Sequence, residues 1–240
     1  MIYGLILLGG NKDLDHQGIP IQYVSVYDKP IFIYTLECFE KHPQIDEVAV
    51  VCLEGWENAT KAFASQFNIN KLRMITNGGK NGQESIRNGV ELLGKVANEG
   101  DFVVIHDGTR PMLDNDVLTD VIRVAQENGN AITATPFTEQ LFKIVENNSD
   151  ITTAYLERDS VKKVTTPQAY RYGDLCKVYE SAFREGKGIG NTAYTDTMMT
   201  EFGNKLFFAA GSDRNIKLET AEDIALFRAL LDNAQPDWLK

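Results

Sequence analysis

Cysteine is scarce: Cys38, Cys52 and Cys176 are odd in number, far apart and form no CxxC. A disulfide framework or a zinc site is therefore not expected, and the three thiols are predicted to sit in the core. Histidine is as sparse, and His16, His42 and His106 form neither HxxxH nor HExxH, which disfavours a zinc hydrolase. No uninterrupted apolar stretch approaches the roughly 20 residues of a membrane span, and Met1 to Leu8 has no basic region and no small-residue cleavage site. A cytoplasmic protein without a membrane partner is expected. Cations are in deficit, with 24 Lys plus Arg against 34 Asp plus Glu and a net charge of −10. That sign opposes non-specific binding to nucleic acid or anionic lipid, so any polyanion must be small and locally received.

What is present is a globular balance, 43% hydrophobic and 24% charged over 240 residues. One domain over 1–232 with a short tail, 233–240, accommodates it. Ile2 to Leu8 reads as a buried strand ending in Gly9-Gly10. Val48–Cys52, Met74–Thr76, Phe102–Ile105 and Ala131–Pro136 read as four more. Between them, helical spacing begins at Pro30, runs from Glu57 to Phe67, and marks Ile86, Val90, Leu93 and Val96, then Leu118, Ile122 and Ala125. Strands apolar throughout and separated by amphipathic helices imply an α/β fold, its mostly parallel sheet covered by helices on both faces. Residues 137–165 break the rhythm, since Phe142–Val145 and Ile151–Tyr155 flank a polar turn and predict a hairpin arm. Beyond it, a helix is expected around Leu175–Phe183, a strand at Leu206–Ala209, and a capped helix from Thr220-Ala221-Glu222-Asp223.

Ligands of an open parallel sheet bind beyond the carboxyl ends of its strands. Three polar groups fall there: Gly9-Gly10; Gly78-Gly79 leading to Ser85 at a helix start; and His106-Asp107-Gly108-Thr109-Arg110-Pro111. Glycines let backbone N–H groups approach an anion, and a helix N-terminus adds positive potential. Either glycine pair alone reads first as a tight turn, whereas Asp107 alone is equally a cap or a magnesium ligand.

In order, LLGG, Pro20-Ile21-Gln22-Tyr23, Asp28-Lys29-Pro30, Gly78-Gly79 to Ser85, HDGTRP, Arg158, Thr166-Pro167-Gln168, Thr195-Asp196 and Asn215-Ile216-Lys217 stand along residues 1 to about 232. This pattern resembles the polyol-phosphate cytidylyltransferases, which include the methylerythritol-4-phosphate and ribitol-5-phosphate enzymes. The resemblance implies a Rossmann-like sheet, CTP and a small polyol phosphate as substrates, Mg2+ as cofactor, and a homodimer embraced by the hairpin arm. Carried over, Leu8, Gly9, Gly10, Lys12, Gly78, Gly79, Ser85, Asp107 and Gly108 would bind nucleotide. Arg110, Arg158, Gln168 and Thr195 would bind the acceptor; Lys217, Arg158 and Asp107 would be catalytic; Asp107 would face the metal. Without the resemblance, Arg158 in Glu157-Arg158-Asp159 reads as a surface ion pair, and Lys217 as the exposed side of an edge strand.

Three cations of the family pattern are missing. Its first loop reads roughly GGxGxRMG followed by PKQ, and its second GGxxR; here Leu14, Ile21 and Gly82 stand at the Arg, Lys and Arg positions. Lys12, Lys80 and His16 lie in the same loops as candidate replacements. Glu139-Gln140 replaces the Asp-Thr common in methylerythritol enzymes. Two readings follow, an active cytidylyltransferase and a nucleotide-binding homologue with impaired chemistry. A third, a glycosyltransferase using Asp114-Asn115-Asp116, competes with simple helix capping there.

Overall fold

Alternation along the first strand sets the layers. In the computed structural model, which describes residues 1–10, 18–145, 148–190 and 194–233, β1 (Ile2–Leu8) points Ile2, Ile6 and Leu8 to one face and Tyr3 and Leu5 to the other. Parallel neighbours β4 (Glu47–Cys52) and β6 (Phe102–Asp107) alternate likewise, with Val48 and Val50 set against Ala49 and Val51. On the first face pack α1 (Ile31–Lys41), α2 (Glu57–Gln66) and α4 (Asn115–Asn128); on the second, α3 (Gly82–Leu93), α5 (Tyr172–Glu185) and α6 (Thr195–Glu201). Phe32, Leu36 and Phe39 of α1 are fully buried, each contributing about 1.5–3 kcal/mol of apolar transfer. Gly89 of α3 is needed for close approach: a Cβ there would lie 2.6 Å from Leu5 and 2.8 Å from Val51.

Adding β5 (Leu72–Asn77), β7 (Asn130–Pro136), β10 (Lys162–Arg171) and β11 (Phe208–Ala210) gives seven strands in the order β11-β7-β10-β6-β1-β4-β5. Six run parallel and β10 runs antiparallel to both neighbours. The fold class is thus the expected Rossmann-like, mostly parallel α/β sheet. Strand β10 corrects the sequence reading. Its polar start and Pro167 argue against a central strand, yet the ladder tolerates them because the register to β7 breaks between Thr165 and Gln168, at the cis Thr166–Pro167 bond.

The arm is a two-stranded sheet of its own, β8 (Leu141–Val145) and β9 (Asn148–Leu156), and ends before β10 and short of residue 165. A tight hairpin, β2 (Ser25–Val26) and β3 (Lys29–Pro30), leads into α1. Helix α7 (Ala221–Asn233) is the last described element, with Thr220 Oγ1 accepting from Asp223 N at 3.2 Å and Asp223 Oδ2 accepting from Thr220 N at 2.8 Å, the predicted capping box. Residues 234–240 of the predicted tail lie outside the described residues. The cysteines are free; Cys52 is buried, whereas Cys38 and Cys176 are only half-buried. Burial pushes Cys38 and Cys52 up to about 11, so neither is a nucleophile at neutral pH.

Candidate functional site

The carboxyl ends of β1 and β5 bring Gly9 and the Gly78-Gly79 pair to one serine. Ser85 sits in the first turn of α3, whose N-cap Asn81 accepts from Glu84 N at 2.9 Å. Its Oγ accepts from Gly79 N at 3.0 Å and donates to Asn81 O at 2.8 Å. A Cβ on Gly78 would meet that Oγ at 2.9 Å, and one on Gly9 at 3.4 Å. The three glycines therefore pack around Ser85 with their backbone close to the start of a twelve-residue helix, an arrangement suited to an anion. Gly108 is equally constrained, since a Cβ would fall on Leu8 Cδ2 and within 3.0 Å of Leu7 O. Leu8 itself is a core residue, 1% exposed, and offers the site only its backbone.

A second cluster gathers at the end of β6. Asp107 Oδ2 accepts from Arg110 Nε at 3.0 Å and lies 3.9 Å from Lys217 Nζ, while its N–H donates to Thr166 Oγ1 at 3.1 Å. Arg110 Nη1 reaches Asn215 O at 2.9 Å, and Asn215 Nδ2 donates to Thr166 O at 2.6 Å. Leu218 N donates to Thr109 O at 2.9 Å. The segment carrying Lys217 is irregular backbone and not an edge strand. Burial acts to raise the Asp107 pKa, but Lys217 and Arg110 outweigh it and hold the carboxyl below its ordinary range. Of the two cations Lys217 is the more exposed, 38% against 16% for Arg110, and it also lies 3.4 Å from Glu219 Oε1. Beneath, His106 is fully buried and held neutral, its pKa lowered by burial to about 4, with Nε2 3.1 Å from Arg110 O and Nδ1 unpartnered among the described residues.

Gln168 and Thr195 are buried in a polar network. Gln168 donates to Asp196 Oδ2 at 3.0 Å and accepts from Tyr170 OH at 2.7 Å; Tyr179 OH is 2.9 Å from Thr195 Oγ1 and donates to Gln83 Oε1 at 2.7 Å. Through Gln83 that network reaches the first turn of α3. Arg158 is not brought to Asp107 within the chain: it is exposed at the arm's base, its Nη1 on Thr138 O at 3.1 Å. Lys12, Leu14 and His16 lie outside the described residues. Ile21 is 3% exposed and packs with Val26, Ile31, Leu218, Ile224 and Phe227, so it does not obstruct the strand ends. Gly82 is exposed, with open space about it, and Lys80 beside it is exposed. Asp114 stands at the N-cap position of α4 without a capping hydrogen bond. One groove runs along β5 beside Lys61, Arg73 and Lys95, away from these residues, and another, between α4 and Ala210–Ser212, is lined by Asp114, Asn115 and Asp116 and by none of the cradle or Asp107 cluster residues.

Gln22, Thr166 and Asn215 are residues to which sequence reading assigned no role. Asn81 had a local signal, Asn-x-x-Glu before an apolar run; the others pair only through long-range contacts.

A mostly parallel α/β sheet with glycine loops, a helix N-terminus and a lysine–aspartate pair at its strand ends belongs to the class of folds that receive nucleotides at that edge. Residues 5–233 match the family described as IspD: 2-C-methyl-D-erythritol 4-phosphate cytidylyltransferase, and the chain belongs to that family. A ribitol-5-phosphate cytidylyltransferase of Lacticaseibacillus paracasei is 46% identical over 96% of this chain and 98% of its own length. A 2-C-methyl-D-erythritol 4-phosphate cytidylyltransferase of Syntrophotalea carbinolica is 30% identical over 96% of each. Among solved structures, 4-diphosphocytidyl-2C-methyl-D-erythritol synthase from Anaerococcus prevotii superposes with a TM-score of 0.81 at 23% identity, covering 96% of both chains, and shares the fold. These relatives give the impaired-homologue reading no support.

Proposed function

We propose that the protein transfers the cytidylyl group of CTP to ribitol 5-phosphate. A phosphate oxygen of the polyol phosphate attacks the α-phosphorus of CTP, the bond to the β-phosphate bridging oxygen breaks, and CDP-ribitol and pyrophosphate result. The observation that carries this reading is the meeting of the Gly9–Gly78–Ser85 cradle with the Asp107–Arg110–Lys217 cluster at adjacent strand ends of a cytidylyltransferase family member. The cradle receives phosphates on backbone donors, and Lys217 supplies charge where it develops at the α-phosphate. Asp107 and Arg110 fix the Asn215–Leu218 segment so that Lys217 is delivered in one place. The 46% identity to a ribitol-5-phosphate enzyme, against 30% to a methylerythritol one, favours ribitol as acceptor.

Asp107 Oδ2 is engaged by Arg110, which leaves Oδ1 for a cation. One carboxylate plus substrate phosphates is a usual magnesium set, so Asp107 fits Mg2+ arriving with CTP. When bound, the ion would neutralise triphosphate charge. The arm exposes Phe142, Ile144, Ile151 and Tyr155, each more than half exposed, and an apolar surface of that kind supports a homodimer in which Arg158 serves the partner's acceptor site. The test is pyrophosphate release with CTP, magnesium and a panel of ribitol, erythritol, glycerol and methylerythritol phosphates. Ribitol 5-phosphate should give the highest kcat/KM; a faster methylerythritol reaction would reassign the acceptor, and release with none would overturn the reading.

A further inference from the structure

The cradle is held from behind by a residue that the proposed chemistry does not use. Gln22 is 1% exposed, in the single turn Ile21–Tyr23. Its Nε2 donates to Leu8 O at 2.7 Å and to Gly10 O at 2.6 Å, while Oε1 is buried with no partner among the described residues. The orientation of the amide is therefore fixed by its two donors.

A trans peptide points its C=O and its following N–H in opposite directions. With the Leu8 carbonyl turned onto Gln22, the Gly9 N–H faces the other way. Neither Gly9 nor Gly10 gives its N–H to any group among the described residues. Gly9 flanks Ser85 Oγ, and a Cβ on Gly10 would meet nothing within 4 Å. Among the described residues, the Gly9 and Gly10 donors at the end of β1 are thus unspent, with Gly9 next to Ser85.

We infer that Gln22 is a positioning residue for the nucleotide: by drawing the Leu8 carbonyl to itself it turns the Gly9 N–H toward the phosphates of CTP, and its second bond, to the Gly10 carbonyl, holds the Gly9–Gly10 turn in place around that donor. It acts through the backbone and touches no substrate. Ile21, where the family pattern has lysine, is buried against Leu218 and Phe227 and offers no charge. The amides held by Gln22 therefore carry a larger share of phosphate recognition in this chain. The inference rests on the cytidylyltransferase reading.

Gln22→Met keeps the volume and removes both donors; Gln22→Glu keeps the shape and regains one donor only when protonated. Both are compared with wild type for CTP affinity by calorimetry, for the KM of each substrate, and for far-ultraviolet circular dichroism and melting. Expected for Gln22→Met is a CTP Kd and KM raised about tenfold, with the KM for ribitol 5-phosphate unchanged and a native spectrum. Gln22→Glu should show the same defect at pH 8 and a smaller one at pH 6, because burial raises a carboxyl pKa. Unchanged CTP affinity in a folded Gln22→Met, or a pH-independent Gln22→Glu, overturns the inference. So does failure of both variants to fold, which would make Gln22 a packing residue. A wild-type protein that neither binds CTP nor releases pyrophosphate refutes the underlying reading instead.

Discussion

Acidification should destabilise the protein through one buried histidine. His106 lies at the end of β6, directly before Asp107, with no exposure and with its pKa lowered from 6.5 to about 4 by burial. Folding therefore favours the neutral ring. Above pH 6.5 the two states bind the same number of protons; as pH falls through 6.5 the unfolded chain takes up a proton that the native state refuses, until the native ring also titrates near pH 4. The stability held by the neutral ring is thus complete above 6.5 and lost between 6.5 and about 4. At about 1.4 kcal/mol per pKa unit the whole loss is about 3 kcal/mol, of which about 2 kcal/mol falls between pH 7 and pH 5. Asp101, Asp107 and Asp120 have lowered pKa values and give up stability further down the scale. Urea unfolding at pH 7 and pH 5 measures the effect, with His106→Gln as the control that cannot titrate. Wild type should lose about 2 kcal/mol more than the variant over this interval. Equal losses would show that His106 is not buried neutral and that the packing under Asp107 is wrong.

Lys217→Met should lower kcat about 10²–10³-fold, the worth of a transition-state charge donor. Because Lys217 is more than one-third exposed and Asp107 keeps Arg110, stability should change by less than about 1 kcal/mol in urea melts. Ile21→Lys, the substitution that would restore the family's cation, should instead destabilise by about 2 kcal/mol or more, since it drives an ammonium among Val26, Leu218 and Phe227. Gly82→Arg meets open space; it should leave the melting temperature unchanged and lower the KM for CTP. Gly89→Ala should cost about 1–3 kcal/mol by wedging α3 off Leu5 and Val51.

The strands of the sheet's middle were legible because burial on both faces demands apolar residues throughout: Ile2–Leu8, Val48–Cys52 and Phe102–Ile105 carry no competing signal. The same reasoning hid β10. It lies between β7 and β6, but six of its ten residues are Lys162-Lys163-Val164-Thr165-Thr166-Pro167, and only the register break at Thr166–Pro167 makes that composition admissible. Helix α6 was missed because seven residues, Thr195–Glu201, are too few for a period. At the site, Gly9, Gly78 and Asp107 were recognisable as strand-end residues and Ser85 as the start of the following helix. Their supports were not, because Gln22 to Leu8, Thr166 to Asp107 and Asn215 to Thr166 are pairings across 14, 59 and 49 residues. The packing of Ile21 was not legible either: the sequence shows that the family's lysine is absent there, and only the fold sets Ile21 against Leu218 and the Ile224 and Phe227 side chains of α7.

Phosphorus NMR of the complete reaction addresses the central claim most directly. Incubation with CTP, magnesium and ribitol 5-phosphate should convert the triphosphate signals into a diphosphate diester and pyrophosphate in equal amounts, with Asp107→Asn and Lys217→Met strongly impaired. CTP that persists unchanged, or that yields CMP without a diester, would contradict it.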